Sequence, residues 1–147
     1  MNRARIVIIE DQLIPAYDMR RQLQDLGYEV TGVFTNAEEA LQFLKKNVGN
    51  ELFPEVIITD ISLAGKMDGL EASKKIYKKY DCAVIMFTGV VNQKLIEETL
   101  ETRPAYFILK PFDILLTHVT IQMAFYQQRL QKENLELKER LKKIQGA

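Results

Sequence analysis

Residues 56–60 read Val-Ile-Ile-Thr-Asp. Four residues suited to a pleated strand end on a carboxylate. The run is strand-length and nearly all apolar, the pattern of a strand covered on both faces of a parallel sheet. Working outward, Arg5–Ile9, Ala83–Phe87 and Ala105–Leu109 repeat it, and Val30–Phe34 is a weaker version. Between them apolar residues recur at helical spacing. The first such stretch carries Ala16, Met19, Leu23 and Leu26, with Gly27 as its stop. Asn36 can cap a second that carries Ala40, Leu41, Leu44 and Val48. Leu70, Ile76, Tyr77 and Tyr80 mark a third. Leu95, Ile96, Thr99 and Leu100 mark a fourth, ended near Pro104. A fifth begins after Pro111 with Leu115, Val119, Met123 and Tyr126. Five strand-helix alternations predict an α/β fold, a parallel sheet with helices on both faces.

A chain of 147 residues favours one domain with room for an appendage, and is long enough for a core that needs no staples. The apolar fraction of 47% and charged fraction of 27% are ordinary for a globular protein. Lys plus Arg and Asp plus Glu both number 20, so there is no basic excess of the kind a nucleic-acid footprint shows. The lone cysteine, Cys82, rules out an internal disulfide, fits a reducing compartment and reads as a small buried residue. Glu10 and Asp11 cut short the apolar run after Arg5, so no secretory leader is expected. No apolar run approaches a membrane span, and a cytoplasmic location is expected. His118 has no partner visible in sequence and reads as structural or surface.

Ligands of open parallel sheets gather beyond the carboxyl ends of the strands. Glu10 and Asp11 follow the first strand, Asp60 ends the third, Thr88 and Gly89 follow the fourth, and Lys110 and Pro111 follow the fifth. The fold brings these onto one sheet edge. Three carboxylates there repel one another. A hard divalent cation that prefers oxygen ligands, Mg²⁺ or Mn²⁺, relieves the repulsion. Lys110 supplies a fixed positive charge and Thr88 a hydroxyl donor. A carboxylate can act as a covalent acceptor, and phosphoryl transfer is mostly positioning and charge neutralisation. Taken alone, Asp60 could be a turn residue or a helix cap. Its company favours function.

Competing readings are weaker. A phosphatase of the haloacid-dehalogenase type wants a second acid two residues after its aspartate, and position 62 is Ser62. A flavodoxin-like cofactor binder wants a phosphate-cradling first loop, where this chain has Glu10-Asp11-Gln12. A scaffold that has lost its chemistry would lack a required group, and none is lacking.

The stretches Ile-Val-Ile-Ile-Glu-Asp (6–11), Val-Ile-Ile-Thr-Asp (56–60), Met-Asp-Gly-Leu-Glu (67–71), Val-Ile-Met-Phe-Thr-Gly (84–89) and Phe-Ile-Leu-Lys-Pro-Phe (107–112) stand in order at fitting intervals. Each alone is weak; together the chain resembles the response-regulator receiver family of two-component signalling from Arg5 to about Tyr126. The resemblance implies a flavodoxin-like sheet in the strand order 2-1-3-4-5. It implies that Asp60 accepts a phosphoryl group from a histidine kinase or phosphotransfer protein. Mg²⁺ (or Mn²⁺) would be held by Glu10, Asp11, Asp60 and the backbone carbonyl of Ser62. Thr88 and Lys110 would bond phosphoryl oxygens, and the Lys110-Pro111 bond would be cis. Phe107, three residues before the lysine, would couple with Thr88 to reshape the surface of the fourth helix, fifth strand and fifth helix. Self-directed phosphotransfer and autodephosphorylation are implied, with no further enzyme activity in this chain. Two features depart from the family pattern. Ala64 lies where a proline is usual, and the loop 62–69 is one residue longer than the commonest form. Phe107 has no hydroxyl.

Beyond Tyr126, Leu130, Leu137 and Ile144 recur every seven residues, with Asn134 and Leu141 at the alternate positions and charged residues between. This predicts a receiver domain over 1–126 and a coiled-coil-like extension over 127–147, with Asn134 as a register setter. The alternative is a long solvated helix, or one folded back on the domain. In the family such a helix commonly leads to an effector domain, for example a cyclic-dinucleotide cyclase, a sensor-kinase module or a transcription activator. The chain as a piece of a longer protein and as a stand-alone receiver both stay open. A homodimer is expected, through the helix or through the surface of the fourth helix, fifth strand and fifth helix. Direct nucleic-acid or membrane contact is not expected.

Overall fold

In the computed structural model the five apolar runs form one parallel sheet in the order β2-β1-β3-β4-β5. The structure describes residues 3–63, 65–89, 93–100 and 106–146, apart from the side chains of 99 and 100. The elements alternate as β1 (Arg5–Ile9), α1 (Leu13–Asp25), β2 (Glu29–Phe34), α2 (Ala37–Lys46), β3 (Val56–Asp60) and α3 (Gly69–Lys79). They continue as β4 (Ala83–Thr88), α4 (Gln93–Leu100), β5 (Tyr106–Leu109) and α5 (Ile114–Gln145). Fold class and strand order are those expected. Ala64, Pro104 and Ala105, and the side chains of Thr99 and Leu100, lie outside the described residues.

The period-two geometry of the strands sorts the core into two halves. Ile6, Ile8, Val56, Ile58, Ile85 and Ile108 face one side, where Met19 and Leu23 of α1 and Ile121 and Ala124 of α5 cover them. Val7, Ile9, Ile57, Val84 and Met86 face the other, under Ala40 and Leu44 of α2 and Leu70 and Ile76 of α3. Both sides of the central strands are therefore closed to water, and polar groups can gather only at the strand ends.

Local signals end most elements where expected. Gly27 adopts a φ of 95° and stops α1. The Asn36 side chain accepts the Glu39 N–H at 2.9 Å and caps α2. Three apolar stripes differ from expectation, that of α4 in that Ile96 is exposed. Val48 is exposed, because α2 ends at Lys46 and Asn47 takes the buried place, donating from Nδ2 to the Phe43 carbonyl at 2.8 Å. In α5 the residues that face the sheet are Thr117, Ile121 and Ala124. The stripe Leu115, Val119, Met123 and Tyr126 points to solvent, with Val119 54% and Met123 60% exposed. Both faces of this helix carry apolar residues, so periodicity alone does not choose between them; the small side chains of Thr117 and Ala124 allow close approach to the sheet.

Cys82 is buried just ahead of β4, and burial, reinforced by the Asp81 charge, pushes its thiol up to about 12. His118 has partners after all. Arg3 Nη1 lies 3.1 Å from His118 Nε2, and Tyr28 Oη lies 2.7 Å from Nδ1. A guanidinium only donates, so Nε2 must accept and the ring proton sits on Nδ1, facing Tyr28. Gln122 Nε2 donates to the same Tyr28 oxygen at 2.7 Å. Arg3 also lies over the Tyr28 ring, 5.4 Å from its centroid. The cluster ties the start of the chain and the entry to β2 onto α5.

Gly69 opens α3 in close contact with the end of β3. A Cβ there would stand 1.8 Å from the Asp60 carbonyl oxygen. Gly69→Ala should therefore destabilise the fold by about 2 kcal/mol or more, since overpacking outweighs the helix-propensity gain; equilibrium urea unfolding measures this, and a neutral or stabilising result contradicts the packing. A second expectation concerns pH. Burial, then the Arg3 charge, lowers the His118 pKa below its ordinary 6.5. The unfolded chain then binds the proton more readily, so stability falls as pH drops through 6.5 toward the lower native value. The urea midpoint of the wild type should fall relative to His118→Gln over that interval; a constant gap between the two proteins would refute it.

Candidate functional site

Parallel register brings the strand ends level. Ile9 pairs with Thr59, Asp60 with Phe87, and Thr88 with Leu109. Glu10 and Asp11 then project from the β1 end beside Asp60. One carboxylate oxygen from each of the three lies within 4.8 Å of the others. The Glu10 N–H donates to the Phe34 carbonyl at 2.9 Å, and the Ile61 N–H to the Phe87 carbonyl at 3.0 Å, so backbone bonds continue past the strands and fix both carboxylate-bearing segments.

Lys110 leaves the end of β5 with its N–H held by the Thr88 carbonyl at 2.9 Å. Its Nζ donates to Asp60 Oδ2 at 2.7 Å and lies 3.6 Å from Glu10 Oε1. The Ser62 N–H donates to Asp60 Oδ1 at 3.0 Å. Both oxygens of Asp60 therefore have donors, although the residue is only 8% exposed. The Lys110-Pro111 bond is cis.

Glu10 is the less settled carboxylate. It is 5% exposed, and its Oε2 is buried with no hydrogen-bond partner among the described residues. Burial, with the Asp60 charge adding to it and Lys110 opposing, pushes its pKa up to about 7. For Lys110 burial acts to lower the pKa, but the hydrogen bond and charge of Asp60, with Glu10, outweigh it and the net shift is upward. One ammonium thus serves two carboxylates and leaves a buried oxygen without a donor. An orphaned carboxylate oxygen beside two other carboxylates is the donor set that a hard divalent cation satisfies.

Thr88 is buried at the end of β4, one step beyond the residue paired with Asp60. Phe107 pairs with Met86 and is half-buried against the cluster on the α2 and α3 side. Glu10, Asp11, Asp60, Ser62, Thr88 and Lys110 therefore meet at one sheet edge, with Phe107 three residues behind Lys110 on the adjoining strand. The longer loop closes where Gly69 N–H donates to the Ile61 carbonyl at 2.8 Å, and Asp68 caps α3 by accepting the Glu71 N–H at 2.8 Å. Gly69 supports the site, though no role was read for it from sequence; its signal lay in Met-Asp-Gly-Leu-Glu. No signal short of the fold would have joined Tyr28 to His118.

Residues 6–122 match the Response regulator receiver domain family. The chain is 33% identical over 124 residues to the Phyllosphere-induced regulator PhyR of Methylorubrum extorquens, covering 84% of this chain and 44% of PhyR. It is 26% identical over 141 residues to the Transcriptional regulatory protein PdtaR of Mycobacterium tuberculosis, covering 93% of this chain and 66% of PdtaR. The chain thus spans under half of the first relative and about two thirds of the second. A solved signal receiver domain of a modulated diguanylate cyclase from Desulfovibrio desulfuricans G20 superposes with a TM-score of 0.78 at 28% identity, over 88% of this chain and 99% of that one. The family match runs from β1 into α5 and takes in every strand end that meets at Asp60, and the chain belongs to the response regulator receiver family of two-component signalling proteins.

Proposed function

We propose that this chain is a phosphorylation-gated switch whose acceptor is Asp60. Receiver domains are in general signalling domains without enzyme activity of their own. The observation that carries the finer reading is the Lys110 Nζ–Asp60 Oδ2 contact of 2.7 Å beside the orphaned Glu10 oxygen. The site has a carboxylate nucleophile, a fixed cation and a demand for one more positive charge. Glu10, Asp11 and Asp60, with the Ser62 carbonyl, would hold Mg²⁺ or Mn²⁺. When bound, the ion supplies charge neutralisation for the phosphoryl oxygens and the three carboxylates.

In the transfer, an Asp60 carboxylate oxygen bonds to phosphorus and the bond from phosphorus to the donor nitrogen of a phosphohistidine breaks. The donor is a histidine kinase or phosphotransfer protein. The Ser62 N–H steadies Asp60 Oδ1 throughout. Lys110 Nζ keeps contact with the developing charge. The Thr88 hydroxyl donates to a phosphoryl oxygen, and its movement frees space that Phe107 takes up, which changes the surface of α4, β5 and α5. Positions 1–126 would form this switch, and 127–147 the helical output. No described helix is long and apolar enough to cross a membrane. A scaffold reading requires a missing group, and Asp60, Thr88 and Lys110 are all at the strand ends. The phosphatase reading requires an acid at position 62, where the structure has a serine whose amide binds Asp60.

Incubation with acetyl phosphate and Mg²⁺, followed by intact mass measurement, should show one added phosphoryl group. Asp60→Asn should show none, and chelation of the metal should abolish the adduct on the wild type. A wild-type protein that neither gains mass nor binds Mg²⁺ would overturn the assignment.

A further inference from the structure

A cavity of about 230 Å³ opens beside the acceptor edge, between α1 and the turn that follows β5. Its floor is apolar. Ile8, Ile58 and Phe87 of the sheet and Met19 of α1 line it, and all four are buried. Phe112 closes one wall, its ring centroid 5.8 Å from that of Phe87. Pro15 of α1 and Pro111, both exposed, flank the mouth. An apolar cavity of about 150 Å³ is enough to hold a benzene ring. This one is larger, and it is not wholly apolar, because Glu10 and Asp60 line it too.

Charge decides what such a cavity accepts. The charged residues that line it are Glu10, Asp18, Asp60 and Lys110. Asp18 is answered from its own helix, by Arg21 at 2.7 Å and Gln22 at 3.0 Å. Asp60 has a donor on each oxygen, Lys110 Nζ and the Ser62 N–H. Glu10 has only the Lys110 ammonium 3.6 Å from Oε1, while its Oε2 is buried without a hydrogen-bond partner among the described residues. Glu10 and Asp60 against one ammonium leave one negative charge over an apolar floor. An anion is repelled there. A neutral apolar molecule would seal Glu10 Oε2 further from water and give it no donor. A hydrated Mg²⁺ keeps waters that the floor cannot hydrogen-bond. What fits is an ammonium group joined to a small apolar body.

We propose that this cavity binds a small organic ammonium ion of the arylalkylamine class, its N–H groups donating to Glu10 Oε2 and its ring resting on Ile8, Met19, Ile58 and Phe87. The consequence for the switch rests on the metal reading above. With Mg²⁺ on Glu10, Asp11 and Asp60, three carboxylates are balanced by the divalent ion and Lys110. A further ammonium exceeds that balance, so amine and metal oppose one another. Asp11 lines a separate groove, with Asn36 and Glu38, so the amine opposes the metal through Glu10. The cavity thereby gives the switch an input distinct from the phosphodonor, in which bound amine holds the strand ends free of metal.

Methyl-detected NMR of the full chain tests this, with benzylamine as the probe, without metal and just above neutral pH, where the amine is protonated. The Ile8, Met19 and Ile58 methyls should shift and saturate. Benzyl alcohol, the neutral analogue, should bind about tenfold more weakly or worse. The comparison of the two ligands uses the unaltered protein, so a poorly folded variant cannot mimic it. Glu10→Gln should bring benzylamine down to the level of the alcohol. Mg²⁺ should weaken benzylamine binding, and benzylamine should weaken Mg²⁺ binding by the same factor. Absence of shifts at these methyls overturns the proposal, as does equal affinity for the alcohol. Joint binding of amine and Mg²⁺ without mutual weakening overturns the antagonism. If Mg²⁺ does not bind at all, the metal reading falls, while the titration without metal still decides the cavity.

Discussion

Three carboxylates share the edge of a sheet whose both faces are apolar, and two of them, Glu10 and Asp60, are buried there. Glu10, Asp11 and Asp60 hold oxygens within 4.8 Å of one another. Lys110 is placed to answer this, yet one ammonium cannot neutralise three carboxylates, and Glu10 shows the shortfall in its orphaned oxygen and raised pKa. Much of the local structure follows from that constraint. Strand ends must stay level, so backbone bonds extend past them at Glu10 and Ile61. α3 must approach Asp60 closely enough for Ser62 and Gly69 to brace it, so residue 69 has no side chain. Stability at this edge is given up for a site that waits for positive charge.

The sheet and the site were legible for a common reason. Buried parallel strands are written as continuous apolar runs, and polar residues that end such runs have nowhere to go but the sheet edge. Asp60 after Val-Ile-Ile-Thr and Lys110 after Phe-Ile-Leu are visible on that ground alone. Capping was equally legible where the side chain acts on its own helix, as at Asn36. What stayed hidden depended on contacts between distant segments. His118 looks solitary because its partners are Arg3 and Tyr28, more than 85 residues away by numbering. Asn47 took the place expected for Val48 because a side-chain bond to Phe43 satisfies its buried amide. α5 was misread in orientation because both of its faces are apolar, and only packing decides which one the sheet receives.

That ambiguity has a physical meaning. A helix that serves only its own domain needs one apolar face. α5 has two, one spent on the sheet through Thr117, Ile121 and Ala124 and the other left open. The same element therefore packs against the sheet on one side and carries an open apolar face on the other.

The cluster of Arg3, Tyr28, His118 and Gln122 then acquires a mechanical significance. It pins α5 to the domain through His118 and Gln122, one turn apart and interleaved with the helix's buried contacts, while residues 129–146 are exposed throughout. Such a helix is a lever with its fulcrum at its last bonds to the body, Tyr106 to Gln127 and Gln128 to Asp81. Its free arm is about 27 Å long, so a tilt of about 10° at the pivot moves the tip by about 5 Å. A displacement too small to notice among packed side chains becomes, at the far end of α5, as large as the spacing of one helical turn.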